Sequence, residues 1–447
     1  MKTFLKLALL SVLGFLLQGC PPKPTPNSLL IEGATLINPG NPPEIIKISY
    51  VYIENGKIVS YGERGTEPRP FYPAKKINAS KKFIIPGLID GFATLNNQAY
   101  ANAYLYKGIT SLLEVDGYRR GAFFPNANPS PTIYRLEGVG EEPITNSQII
   151  KKLDSLHQAN YKVALLMYGL TPKQLKLAND YAKKLGMATI GELASTTYQE
   201  AMNLGVDAFV HTTRYSLDVA PEKMRKAVAT EPFSNDLNSA KWKYYKYLTQ
   251  LKKGDSALAV HAQNLAQSNT YIIPTMSLSY LDLPEAKNPW LDPVASILNP
   301  KDINRPADPK TGKHTIDSLE QAAYTNLITA ETSVIEPSYY QAGAHYLAGS
   351  GTDVWGTMPG LSFHTELDLL HRKAGLSNEE VLAAATVNFN KAFGWKVGKI
   401  ASGFKADLLI LEKNPLDDIK NLTSIKTIIL NGKELNPQSF LNLKNEK

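Results

Sequence analysis

Few side chains in this 447-residue chain could carry chemistry. There are seven histidines and one cysteine, Cys20, so no internal disulfide can form. Ser350 and Ser362 lie in no nucleophile-elbow motif, which leaves serine hydrolysis without support. His157, His261, His314 and His371 stand in polar, helix-like surroundings, and His345 precedes a short apolar run where packing accounts for it. His211 differs, because it ends the run Gly205-Val206-Asp207-Ala208-Phe209-Val210. Three acids are placed in the same way: Glu114 after Leu112-Leu113, Glu192 after Ile190-Gly191, and Asp353 after 347–352. If such groups met, carboxylates and an imidazole could hold one divalent ion and make hydroxide near neutral pH.

The elements that would position them begin with residues 83–95, Phe-Ile-Ile-Pro-Gly-Leu-Ile-Asp-Gly-Phe-Ala-Thr-Leu. Continuous apolar runs of this kind suit a strand buried on both faces, with Pro86-Gly87 turning the chain into it. From there to Trp395 apolar runs alternate with helical stretches, the signature of a parallel sheet, and the length suits a (β/α)8 TIM-like barrel. Thr171 followed by Pro172 marks a helix start, and Asn55-Gly56 between apolar runs marks a hairpin. Short strands fill residues 28–84 and return at 396–436.

Residues 86–90 resemble the first barrel strand of the amidohydrolase superfamily, in its imidazolonepropionase and prolidase-like branch. So do 107–113, 205–211, 271–275 and 347–353 at later strands, and 398–411 at the closing segment. The order is co-linear over nearly all of residues 28–436. The resemblance implies a barrel inserted into a small β-sandwich that both chain ends build. It also implies metal-dependent hydrolysis of C–N bonds in amides or cyclic amides.

Carried over position by position, the ligand set is mostly gone. The paired histidines of strand one are Phe92 and Thr94, and the bridging lysine of strand four falls near Leu165. Phenylalanine has no lone pair to give, and a threonine hydroxyl is a poor ligand for a zinc-like ion. The strand-five histidine aligns with Glu192, while His211 and Asp353 keep the strand-six and strand-eight positions. Two readings follow. In the first, the metal chemistry is lost, no cofactor is held, and the old pocket binds a small molecule. In the second, Glu192, His211 and Asp353 hold a single divalent ion such as zinc, and Asp353 remains catalytic in a mononuclear hydrolase. A structural envelope protein is a third class.

With 43% hydrophobic and 20% charged residues the chain is globular in composition. The net charge of +7 comes from scattered basic residues without aromatic interleaving, which argues against a nucleic-acid surface. Lys2 and Lys6, an apolar stretch to Leu17, and Leu17-Gln18-Gly19-Cys20 resemble a bacterial lipoprotein signal. That resemblance implies a mature chain beginning at an acylated Cys20 and anchored in the cell envelope. Pro21 in place of aspartate points to the outer membrane. The expected organisation is a signal over 1–19, a Pro-rich tether over 20–27, sandwich pieces 28–84 and 396–436, the barrel 85–395, and a tail 437–447. Residues 217–260 and 285–335 are read as insertions over one end of the barrel. The sequence leaves open a homo-oligomer or pairing with an active relative.

Overall fold

The computed structural model describes residues 23–116, 123–231, 234 and 236–442. The expected signal and Cys20 lie outside them.

The amino-terminal strands are β1 (Thr25–Glu32), β2 (Thr35–Asn38), β3 (Glu44–Ile46), β4 (Ser49–Glu54), β5 (Lys57–Glu63), β6 (Pro73–Asn78) and β7 (Phe83–Pro86). The β4–β5 hairpin turns at Asn55 and Gly56, both at positive φ, as an Asn-Gly turn requires. β1 starts inside the stretch read as a tether, because Thr25 pairs with Pro73 on β6.

The barrel strands follow: β8 (Leu88–Ala93), β9 (Ile109–Asp116), β10 (Thr132–Val139), β11 (Val163–Met167), β12 (Ala188–Glu192), β13 (Ala208–Val210), β14 (Tyr271–Ile273) and β15 (His345–Tyr346). They form one sheet in sequence order, every neighbour parallel. Backbone bonds join its two ends: Gly91 N–H donates to Ala348 at 2.9 Å and Gly351 N–H to Phe92 at 2.8 Å. Alternation along the strands fills the interior with Ile89, Phe92, Leu113, Leu165, Met167, Ile190 and Val210. The helices pack outside, for example Pro172–Lys184, which starts at Thr171 as expected.

The last strands are β16 (Leu408–Leu411), β17 (Ile425–Leu430) and β18 (Lys433–Leu435). Two sheets flank the barrel. One runs β5-β4-β1-β6; the other runs β18-β17-β16-β7-β2-β3 and so mixes both chain ends. β16 lies antiparallel against β7, with Leu409 opposite Ile85. Residues read as the start of a tail instead form a 3-10 turn, Pro437–Leu441, with Phe440 buried and its carbonyl bonded to Asn102.

Candidate functional site at the barrel mouth

The carboxyl ends of β12 and β13 deliver Glu192 and His211 to the mouth of the barrel, the end at which barrels of this kind build their sites. His211 sits at φ 67° and Thr275, just past β14, at φ 55°; non-glycine residues rarely hold that conformation. His211 Nδ1 and Thr275 Oγ1 lie 2.7 Å apart, and the His211 N–H donates to Ile273 at 2.9 Å. Phe92 meets the imidazole edge-on, ring centres 5.1 Å apart. The histidine is therefore wedged between a phenyl ring and a hydroxyl.

Glu192 is 2% exposed and its Oε1 lies 3.1 Å from Arg214 Nε. The guanidinium already compensates the charge of this buried carboxylate, which weakens its attraction for a cation. Asp353 is also buried, and its Oδ2 accepts from Asn96 Nδ2 at 2.6 Å and from the Tyr100 hydroxyl at 3.0 Å. Burial and the Asp353 charge push the Tyr100 hydroxyl well above its usual range, so it stays a donor. Thr94 is buried, and its carbonyl accepts from Tyr104 at 2.9 Å.

Leu165 and Met167 both face the barrel interior, and the strand register sets Met167 level with Glu192. The inward position beside Glu192 is thus a thioether rather than an amine. Glu114 shares the parity of Leu112, which packs in the outer layer, while Leu113 and Val115 face inward. Alternation puts its carboxylate on the far side of the strand from the mouth.

Among the described residues no group of three or more His, Cys, Asp or Glu side chains is arranged to hold a metal ion. Glu192 and His211 share one cavity; Asp353 is absent from its wall, although Val354 and Trp355 line it. The donor set present among the described residues does not fit the metal centre that the sequence resemblance implies.

That cavity, about 350 Å³, opens at the mouth and takes in Arg214, Tyr245, Tyr324, Leu327, Glu331 and Trp355. The helix Ser318–Ala330 presents Tyr324 and Leu327 at helical spacing, and Glu331 follows on the same face. Sequence reading set residues 285–335 aside as an insertion and missed these. The available signal was one acid in an otherwise apolar stripe, Tyr324-Leu327-Ile328-Glu331-Ile335. His314 was also misjudged. Its side chain is 2% exposed, with Nε2 3.0 Å from the Trp355 carbonyl, so it braces the cavity wall. His261 is likewise buried, against Tyr339. His364 lies in the helix Leu361–Leu369 and ties it to the Lys107 carbonyl at 2.8 Å.

Comparison with solved structures gives the architecture a context. A bottromycin amidohydrolase matches with a TM-score of 0.66 at 17% identity, covering 93% of this chain and 88% of that one. A Xaa-Pro dipeptidase with bound methionine matches with a TM-score of 0.60 at 14% identity, over 92% of this chain and 100% of that one. An ochratoxinase from A. niger matches with a TM-score of 0.59 at 15% identity, covering 92% and 95%. The fold is that of the amidohydrolases. A family model described as "Amidohydrolase family" matches residues 331–435, which hold the last barrel strand and most of the returning sandwich. No curated protein sequence matches the chain significantly. On this amidohydrolase fold, Glu192 and His211 stand at the ends of strands five and six and Asp353 in the loop after strand eight, but the first strand and the residue after it bring Phe92 and Thr94, and the fourth brings Leu165 and Met167.

Proposed function

We propose that this chain uses an amidohydrolase scaffold to bind a small molecule at the barrel mouth, with metal-dependent C–N hydrolysis given up. One observation carries the reading: Glu192, the carboxylate at the fifth strand, is engaged by Arg214 while Phe92 packs against His211. A water-activating ion needs open coordination sites and anionic or imidazole donors around them. A guanidinium and a phenyl ring supply the opposite, a positive charge and a dry wall. The cavity that remains is concave, lined by aromatic rings and carries a few polar groups, as ligand pockets do.

The test is metal content by mass spectrometry after purification without chelator, alongside hydrolysis of a Xaa-Pro dipeptide. The reading expects far less than one metal per chain and no turnover. About one tightly held metal, lost together with turnover in His211→Ala, would establish the mononuclear hydrolase instead.

The same reading places the barrel at a bacterial envelope, held by acyl chains on Cys20 in the outer membrane. The support is the sequence pattern ending in Leu17-Gln18-Gly19-Cys20. Cys20→Ser is expected to move the protein from the membrane pellet to the soluble fraction. Unchanged pelleting would remove the anchor from the account.

A further inference from the structure

The wall of the mouth cavity contains two kinds of charge. Glu192 and Arg214 form an ion pair at 3.1 Å and so compensate each other. Glu331 is different. It is 5% exposed, lines the cavity, and among the described residues no group donates a hydrogen bond to its carboxyl. A carboxyl held in a mostly dry cavity wall with no protein donor costs free energy, so its retention there points to a partner that arrives through the cavity. The backbone widens here too, because a π-helical turn, Glu331–Ile335, begins at this residue; such turns recur at functional sites.

The rings around it narrow the chemistry. Tyr324 and Trp355 stand 4.6 Å apart between centres at 53°, and Tyr245 lines the same cavity. These faces already attract cations. Arg305 lies 4.2 Å from the centre of the Trp355 ring, and Lys241 lies 5.4 Å from that of Tyr245. The other acids near Glu331 are Glu336 and Glu366, both fully buried. Glu336 accepts from Tyr215 at 2.5 Å, Thr212 at 2.7 Å and Tyr346 at 2.9 Å; Glu366 accepts from the Ser277 N–H at 2.7 Å. From the helix Ala240–Leu248 the near groups are the phenols Tyr244 and Tyr245, beside Lys241. Burial and these further acids thus act on Glu331, whereas Arg214, on the same cavity wall, is paired with Glu192.

Resting on the reading of the mouth as a ligand pocket, we propose that the cavity receives a small organic ammonium ion, its charge met by Glu331 and its carbon skeleton laid against Tyr324 and Trp355. No covalent bond of the ligand is made or broken, and any proton that leaves the carboxyl passes to solvent. Burial, with Glu336 and Glu366 adding to it, pushes the free carboxyl up to about 8, so near neutral pH the arriving cation displaces a proton.

Three probes of one shape test this by calorimetry on the metal-free chain: cyclohexylammonium, cyclohexanol and cyclohexanecarboxylate. The ammonium is expected to bind roughly tenfold or more tightly than either of the others, and Glu331→Gln to remove that preference. Tyr324→Leu, which leaves the carboxyl in place, is expected to weaken the ammonium several-fold. It keeps the test open if the glutamine variant does not fold. Equal binding of the alcohol, preference for the carboxylate, an unaltered Glu331→Gln, or no ammonium binding at millimolar concentration would each overturn the proposal. A chain shown to lack metal and turnover that fails these tests sinks this inference alone. A chain with tightly bound metal and turnover sinks the reading beneath it.

Discussion

Phe92 decides more than one property of the mouth. It is 1% exposed, shares the barrel interior with Leu165 and Met167, and presents its ring to His211. Placing histidine at this position and at Thr94, Phe92→His with Thr94→His, is not expected to create a metal centre. Met167 still fills the fourth strand beside Glu192, and Arg214 still occupies Glu192. The expected zinc content of the double variant stays well below one ion per chain by mass spectrometry; a stoichiometric ion would show that Arg214 yields. Phe92→Ala, which leaves a void under the mouth, is expected to cost about 3 kcal/mol or more in urea denaturation. The identities of these residues were legible in the sequence, because each stands at a fixed distance from a recognisable strand. Their partners were not. Nothing near Glu192 in the chain says that Arg214 turns back onto it, and Glu331 looked like any acid in a polar insertion. Such pairings depend on side-chain direction across loops, which periodicity does not encode.

At the scale of elements, the barrel closes where β8 meets the segment following β15. Strand β15 has only two residues, so the junction rests on the backbone bonds of Gly91 and Gly351. Space there is tight. A Cβ on Gly91 would stand 2.7 Å from the Ala348 carbonyl oxygen and 2.9 Å from the Phe389 ring. Since the nearest obstacle is backbone, relaxation must move a strand. Gly91→Ala is expected to destabilise by about 3 kcal/mol, read as a lowered denaturation midpoint with an unchanged slope. An effect below about 1 kcal/mol would mean that the closure is looser than these distances imply. The strands themselves read well from sequence, since each is an apolar run bounded by turn residues. The insertions read poorly: the helices Ala240–Leu248 and Ser318–Ala330 carry tyrosines and a tryptophan on buried faces, a pattern masked by the many polar residues between them.

Across the whole molecule, several buried carboxyls among the described residues share one behaviour, the four with the largest shifts being Asp90, Glu331, Glu336 and Glu366. Burial raises Asp90 and Glu336 to about 7, and Glu331 and Glu366 to about 8, against ordinary values of 3.8 for aspartate and 4.5 for glutamate. The folded chain therefore keeps protons that the unfolded chain releases from about pH 4 upward. Their contribution is most favourable below the unfolded values and is lost as pH rises through 7 to 8. Stability measured by denaturant at pH 6 is expected to exceed that at pH 9. Glu331→Gln with Glu366→Gln is expected to flatten the difference, and a flat or rising wild-type profile would refute the assignment. The sandwich built from both ends was the most legible large feature, since the β7 and β16 stretches each read as short apolar strands. The two-sheet division was not, because the parallel pairing of β1 with β6 leaves no local mark.

The position of β16 between β7 and β17 also sets an order in time. A chain growing from its amino end makes β7 early and gives it β2 on one side only. The other edge, with Ile84 and Ile85, stays open while the entire barrel is synthesised, until residues 408–411 emerge to cover it. An open apolar edge invites pairing with other chains. The nascent protein is thus most exposed to misassembly during the long interval between its first sheet and its last, and completion of one strand ends that interval.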